Sequence, residues 1–170
     1  MPRYRIRKAR LVGCAGAVFL LQTAVLHRFS PGWGRPDLIC LLAAFLALEA
    51  TPAGALWSGL GLGLVRDLGS GGPLGGSALA LLPVVALMLL VRDRPYRGAG
   101  MDVALALGFV LGFSVLEAAG ALIHAPAAGP AHLLRVAVGQ SLLSAAVAFP
   151  LFFLFQHIGV VRAGRGGFGP

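Results

Sequence analysis

The sequence predicts an all-α membrane protein, a bundle of about six transmembrane helices forming a single domain over 1–170, on three observations. Of 170 residues 58% are hydrophobic and 12% charged, with a mean hydropathy of +0.86. A soluble domain carries about 25% charged and 45–50% apolar residues, so this is a membrane composition. The apolar residues fall into successive runs along the whole chain, and spans of about 20 residues joined by short turns would use nearly all of it. The basic residues, last, crowd into three places: Arg3, Arg5, Arg7, Lys8 and Arg10 before the first run, Arg92, Arg94 and Arg97 in one loop, and Arg162 and Arg165 in the tail.

The spans are expected at roughly 9–27, 37–50, 53–66, 74–91, 102–123 and 132–158. In the first, Leu11-Val12-Gly13-Cys14 looks like the end of a lipoprotein signal. The preceding MPRYRIRKAR has no hydrophobic core for a signal peptidase, so the run reads as an anchor retained in the chain. The second and third segments are short and are separated by Glu49 and Pro52. They read as two short tilted spans, with a re-entrant hairpin as the alternative. Pro83 and Pro150 lie inside the fourth and sixth segments, where a membrane bundle tolerates them as kinks. The breaks between segments are rich in Gly, Pro and charge, which marks turns. With the N-terminus in the cytoplasm, cytoplasmic regions hold ten of the fourteen basic residues and leave Arg28, Arg35, Arg66 and Arg135 elsewhere. That asymmetry predicts a cytoplasmic-membrane protein with both termini inside.

Several function classes fall away. The net charge of +8 is placed to orient spans, not to follow a nucleic-acid backbone. Cys14 and Cys40 lie in apolar runs and offer neither a disulfide framework nor a metal site. His27, His124 and His132 are expected near the outer face with too few acidic neighbours for zinc. A phosphate loop needs Lys then Ser or Thr after its glycines, and the only lysine is Lys8. No serine lies in a nucleophile motif, so neither enzyme activity nor a cofactor is expected.

What remains is small residues and a few charges. Gly54, Ser58, Gly59, Gly61 and Gly63 put small side chains at helical spacing on the third segment, and Ala104, Gly108 and Gly112 repeat the device on the fifth. Such faces let helix backbones approach closely, within the bundle or against a partner's helix. Arg66 and Asp67 stand together at the end of the third segment. A charge there needs a partner or a task, since one at a helix centre costs about 2.5–3.5 kcal/mol. For Asp67 the expected task is anchoring, by pairing with Arg66 or accepting from the amides of the turn 68–72, rather than proton relay. Glu117 and Arg135 fall at similar depth on adjacent segments. They read either as a buried pair or as a snorkelling Arg135 with Glu117 turned to another subunit.

Pro36-Asp37-Leu38, then Leu46-Ala47-Leu48, then GALWSGLGLGLVRDLGSGGPLGGSALALL over 54–82 resemble the MreD family of bacterial rod shape-determining membrane proteins. The specific likeness is confined to about 36–82, while size, span number and basic N-terminus agree over the whole chain. Matching positions are Pro36 and Asp37 at a helix opening, Gly59 and Gly63 on the next helix, Asp67 at its end, and Pro73, Leu74 and Gly75 in the turn. Arg66 departs from the family pattern, which is apolar before the Asp. The resemblance implies a non-enzymatic scaffold of the cell-wall elongation machinery that maintains rod shape. It would bind the bitopic protein MreC and, through it, MreB and the RodA–transpeptidase pair. It also implies a fold similar to the substrate-binding component of energy-coupling-factor transporters, which makes a solute-binding component of a vitamin-type transporter the alternative function.

Overall fold

The computed structural model describes residues 4–6, 8–26, 36–70, 74–92, 99–124 and 129–163. Six helices account for nearly all of these. α1 (Lys8–Leu20) runs on into a π-helical stretch, Leu21–Leu26, and is followed by α2 (Leu38–Glu49), α3 (Pro52–Ser70), α4 (Gly76–Val91), α5 (Ala99–His124) and α6 (Pro130–Ile158). Two three-residue strands, β1 (Tyr4–Ile6) and β2 (Val161–Ala163), pair antiparallel and hold the two ends of the described chain together. Beside them Arg10 Nη1 donates to the Ile158 carbonyl at 2.5 Å, one of the carbonyls left open at the end of α6.

The helices alternate in direction, as short connections require. One end of the bundle gathers the close of α1, α3 and α5 with the start of α2, α4 and α6; the paired strands β1 and β2 lie at the other. Within Gly100–Gly120 and Leu133–Ile158 the chain has helices long and apolar enough to cross a membrane, and Ala9–Ala24, Leu38–Glu49 and Gly76–Val91 form shorter apolar helices.

α2 is the pin of the bundle. Every residue from Leu38 to Leu48 is buried, so this helix meets other helices on all sides and presents no face to the surroundings. Its uniform hydrophobicity, with no amphipathic stripe, is what an all-round buried helix requires. Phe45 sets its ring 5.5 Å from those of both Phe152 and Phe155 on α6. A 12-residue helix is about 18 Å long, well short of a hydrocarbon core of about 30 Å. Each end is closed by side chains. At the C-terminal end buried Arg92, from the close of α4, donates Nη1 to the carbonyls of Ala47 at 2.9 Å and Ala50 at 2.6 Å. Placed from sequence among the topogenic arginines, Arg92 thus also seals a helix end. The N-terminal end is closed by Asp37, described below.

The third segment is longer than expected. α3 continues through Ser70, so Arg66 and Asp67 sit a turn inside the helix rather than at its end. Pro83 and Pro150 lie within α4 and α6 and are both exposed, so each proline ring faces outward from the packed core.

α3 and α4 pack most closely where glycine permits it. A Cβ added at Gly63 would lie 2.7 Å from the Ala78 nitrogen and 2.9 Å from its Cβ, and one at Gly59 would lie 3.0 Å from Val85 Cγ2. These two glycines serve the bundle itself. Gly112 makes ordinary contact with Val84, whereas Gly61 on α3 and Gly108 on α5 have nothing within 4 Å of a Cβ. Small residues of the third and fifth segments therefore divide between internal packing and open faces.

Candidate functional site

At the end of the bundle away from the paired strands, four ionic and amide side chains from four helices meet around Arg66. Asp37 is the N-cap of α2, in extended backbone, and its Oδ1 accepts from Cys40 N at 3.0 Å. That bond satisfies one of the free amides of the first turn. Asp37 is only 1% exposed, and a carboxylate so placed needs every oxygen engaged. Oδ1 also accepts from Gln22 Nε2 at 3.4 Å, and Oδ2 accepts from Arg66 Nε at 2.8 Å and Gln140 Nε2 at 3.3 Å. Its own N–H donates to Ser144 Oγ on α6 at 2.9 Å.

Gln22 works in two directions, since its Oε1 also accepts from Ile39 N at 3.2 Å. It lies in the π-helical stretch, where Thr23 Oγ1 donates back to the Phe19 carbonyl at 2.9 Å. A π turn shifts side chains around the helix relative to the α register, and here a residue of that stretch reaches the start of α2.

Arg66 extends its fork from Asp37 to Glu117. Nη1 donates to Glu117 Oε1 and, at 2.9 Å, to Ser77 Oγ; Nη2 donates to Glu117 Oε2 at 2.9 Å. Ser77 Oγ in turn donates to Glu117 Oε1 at 3.3 Å. The guanidinium carbon lies 4.7 Å from the centroid of the Phe113 ring, a cation–π distance. A planar, five-donor cation suits a site with acceptors on two sides; a lysine ammonium could not span them. Of the two readings open for Glu117 and Arg135, the buried pair is not formed. Arg135 is exposed on α6, and Arg66, whose place the sequence left open, takes Glu117 instead. The reason is geometric: Arg66 approaches from inside the bundle, where both carboxylates converge.

Asp67 anchors, as expected, but across a longer reach. Its Oδ2 accepts from Gly75 N at 2.7 Å and its Oδ1 from Ser77 N at 3.0 Å. These amides open α4, beyond the 68–72 turn proposed from sequence. Gly75 has φ +96°, a left-handed conformation that glycine adopts freely, and its side-chain-free cap position leaves the capping to Asp67. Ser77 thus takes its amide bond from Asp67 and its hydroxyl bond from Arg66, tying the adjacent pair to one residue. Replacing Asp67 with alanine should cost about 1–2 kcal/mol, the worth of a strong helix cap. Chemical denaturation in micelles checks this, and an unchanged midpoint would remove Asp67 from the anchoring role.

Of the residues named from sequence, Asp37, Glu117 and Asp67 thus enter one network, with Gly75 at its edge. Leu74 is exposed and Pro36 half-buried. Pro73, His27, Arg28 and Arg35 lie outside the described residues. Gln22, Ser77, Gln140, Ser144 and Phe113 were not foreseen. The only sequence signal for the two glutamines was a polar side chain within an apolar run. Among the described residues no group of three or more His, Cys, Asp or Glu is arranged to hold a metal ion.

One cavity borders this framework and a larger one lies apart from it. The larger, about 550 Å³, is a groove between α1 and α3 lined by Val12 and Ala15 on one side and Gly54, Trp57, Ser58 and Gly61 on the other. No charged residue is among the described residues lining it. The smaller, about 260 Å³, opens between α5 and α6, and its wall includes Ser114, Glu117 and Gln140.

Comparison of the chain with protein-family models, with curated proteins and with solved structures gives no match.

Proposed function

We propose that this chain is a six-span scaffold of the cytoplasmic membrane that receives the transmembrane helix of another membrane protein. On the MreD resemblance of 36–82 that protein is MreC, and the task is to couple cell-wall elongation to rod shape through MreB and the RodA–transpeptidase pair. The observation that carries the reading is the α1/α3 groove. Gly54, Ser58 and Gly61 follow one another at four- and three-residue steps, the spacing of a single helix face, and leave α3 open to a close backbone approach. Trp57, 73% exposed, stands beside them as an aromatic anchor. Gly59 and Gly63 are not part of this face, because α4 already occupies theirs.

The orientation with both termini cytoplasmic draws support from the same geometry. Arg10 and Arg92 lie at the end of the bundle where the strands pair, together with the sequence positions that hold most of the positive charge. The transporter alternative needs convergent polar groups in a ligand-sized cavity. The α1/α3 groove has the volume, but none of Asp37, Asp67 and Glu117 lines it.

A Cβ at Gly61 meets nothing within 4 Å and Gly61→Leu extends from there into the groove, so the protein should fold while recovery of MreC in copurification falls about tenfold, or roughly 1.4 kcal/mol. Gly108→Leu, on the open face of α5, should leave recovery unchanged. Equal recovery with Gly61→Leu and with Trp57→Ala would overturn the groove as the interface. Retention of rod shape on depletion, in a rod-shaped host with no second copy, would overturn the scaffold role itself.

A further inference from the structure

We propose that the α5/α6 pocket is a binding site for a primary ammonium group. The inference stands apart from the groove and from the identity of any partner helix. It begins with charge. Asp37, Arg66 and Glu117 form one bonded unit with two carboxylates and one guanidinium, an excess of one negative charge. The two carboxylates are not equally served. Asp37 accepts four hydrogen bonds, two on each oxygen, and is sealed inside the bundle. Glu117 accepts two bonds on Oε1 and one on Oε2, and its side chain is 32% exposed. Acceptor capacity and excess charge therefore both remain at Glu117, in the wall of the pocket.

A second observation is independent of the carboxylates. Ser114, in the same wall and only 5% exposed, has a buried Oγ with no hydrogen-bond partner. A buried hydroxyl without a partner costs free energy, and serine on a helix ordinarily bonds back to a carbonyl one turn earlier, as Ser141 does to Ala137 at 2.7 Å. Gln140 completes the wall. Its Nε2 is committed to Asp37, which leaves its Oε1 as an acceptor. Ser114, Glu117 and Gln140 thus bring three side-chain oxygens to a pocket of about 260 Å³ with a net negative neighbour, the Ser114 oxygen lying buried behind its wall. An ammonium carries three N–H donors and one positive charge, which matches that set in number and sign.

The same ammonium chemistry has two sources, a phosphatidylethanolamine headgroup and a free amine. The purified full chain in nanodiscs separates them. In discs of phosphatidylethanolamine and phosphatidylglycerol, native mass spectrometry should find one ethanolamine lipid retained per protein. In discs of phosphatidylcholine and phosphatidylglycerol, whose choline group has no N–H to donate, the choline lipid should not be retained. Ethylammonium chloride titrated into the choline discs tests the free amine by isothermal calorimetry. Retention of the lipid or uptake of ethylammonium supports the site and names its source.

Ser114→Ala removes no hydrogen bond from the unliganded protein and relieves a buried unpartnered hydroxyl, so its melting temperature in choline discs should equal or exceed that of the wild type. Its ammonium binding should fall about tenfold, the loss of one bond to a charged group. Glu117→Gln should lose binding altogether. Binding of neither probe, or binding unchanged in Ser114→Ala, overturns the proposal.

Discussion

Arg66→Met is expected to be the most damaging single substitution in this protein, lowering stability by about 3–5 kcal/mol. The methionine would fill much of the volume but leave Asp37, 1% exposed, and Glu117 without their shared cation. Two carboxylates would then face each other at the mouths of four helices, and Ser77 would lose its donor. Arg66→Lys keeps the charge but cannot reach Asp37, Ser77 and Glu117 together, so it should recover only part of the loss. Asp37→Asn combined with Arg66→Met should be less damaging than the sum of the two single changes, because it removes one uncompensated charge. Unfolding followed by circular dichroism in micelles measures all three. A wild-type midpoint for Arg66→Met would mean that the cluster is solvated and does not hold the helices.

Gly63→Ala should follow closely, at about 3 kcal/mol or more. The added methyl would meet the backbone of Ala78 rather than the end of a flexible side chain, so α3 and α4 must separate along their length. Gly59→Ala meets Val85 Cγ2 at 3.0 Å, a contact that a small rotation relieves, and should cost less. Gly61→Ala meets nothing and should be near neutral. The order Gly63, Gly59, Gly61 in melting temperature is the expected result. A Gly63→Ala protein as stable as Gly61→Ala would show that the two helices pack with room to spare.

How much of this was legible beforehand differs from residue to residue. The helices themselves were, because each is an apolar run punctuated by Gly, Pro and charge, and the observed boundaries depart by a few residues. The largest departure, α3 extending to Ser70, occurs because Asp67 caps the following helix and does not end its own. Asp37 was legible as the opening of a helix, and Asp67 as an anchor, since a short acidic side chain beside free amides has few other uses. The partner of Glu117 was not legible. Depth along adjacent helices offered a pair with Arg135 as one of two readings, but depth says nothing about which way a side chain faces. Gly59 and Gly63 were recognisable as a close-packing face, yet whether that face met α4 or a foreign helix depends on the rotation of α3 within the bundle.

The sequence by itself determined an apolar, helical chain whose Asp37 and Asp67 begin or brace helices and whose positive charge is grouped at a few places along its length. Those are consequences of composition and local spacing, which act within a few residues. Tertiary structure alone decided that Arg66 joins Asp37 to Glu117 across residues 29 and 51 positions away, that Arg92 closes α2, and that Gly61 rather than Gly63 remains open. A buried charge takes its partner from whatever the fold brings within about 3 Å. That is set by the rotation and pairing of whole helices, which no local pattern encodes.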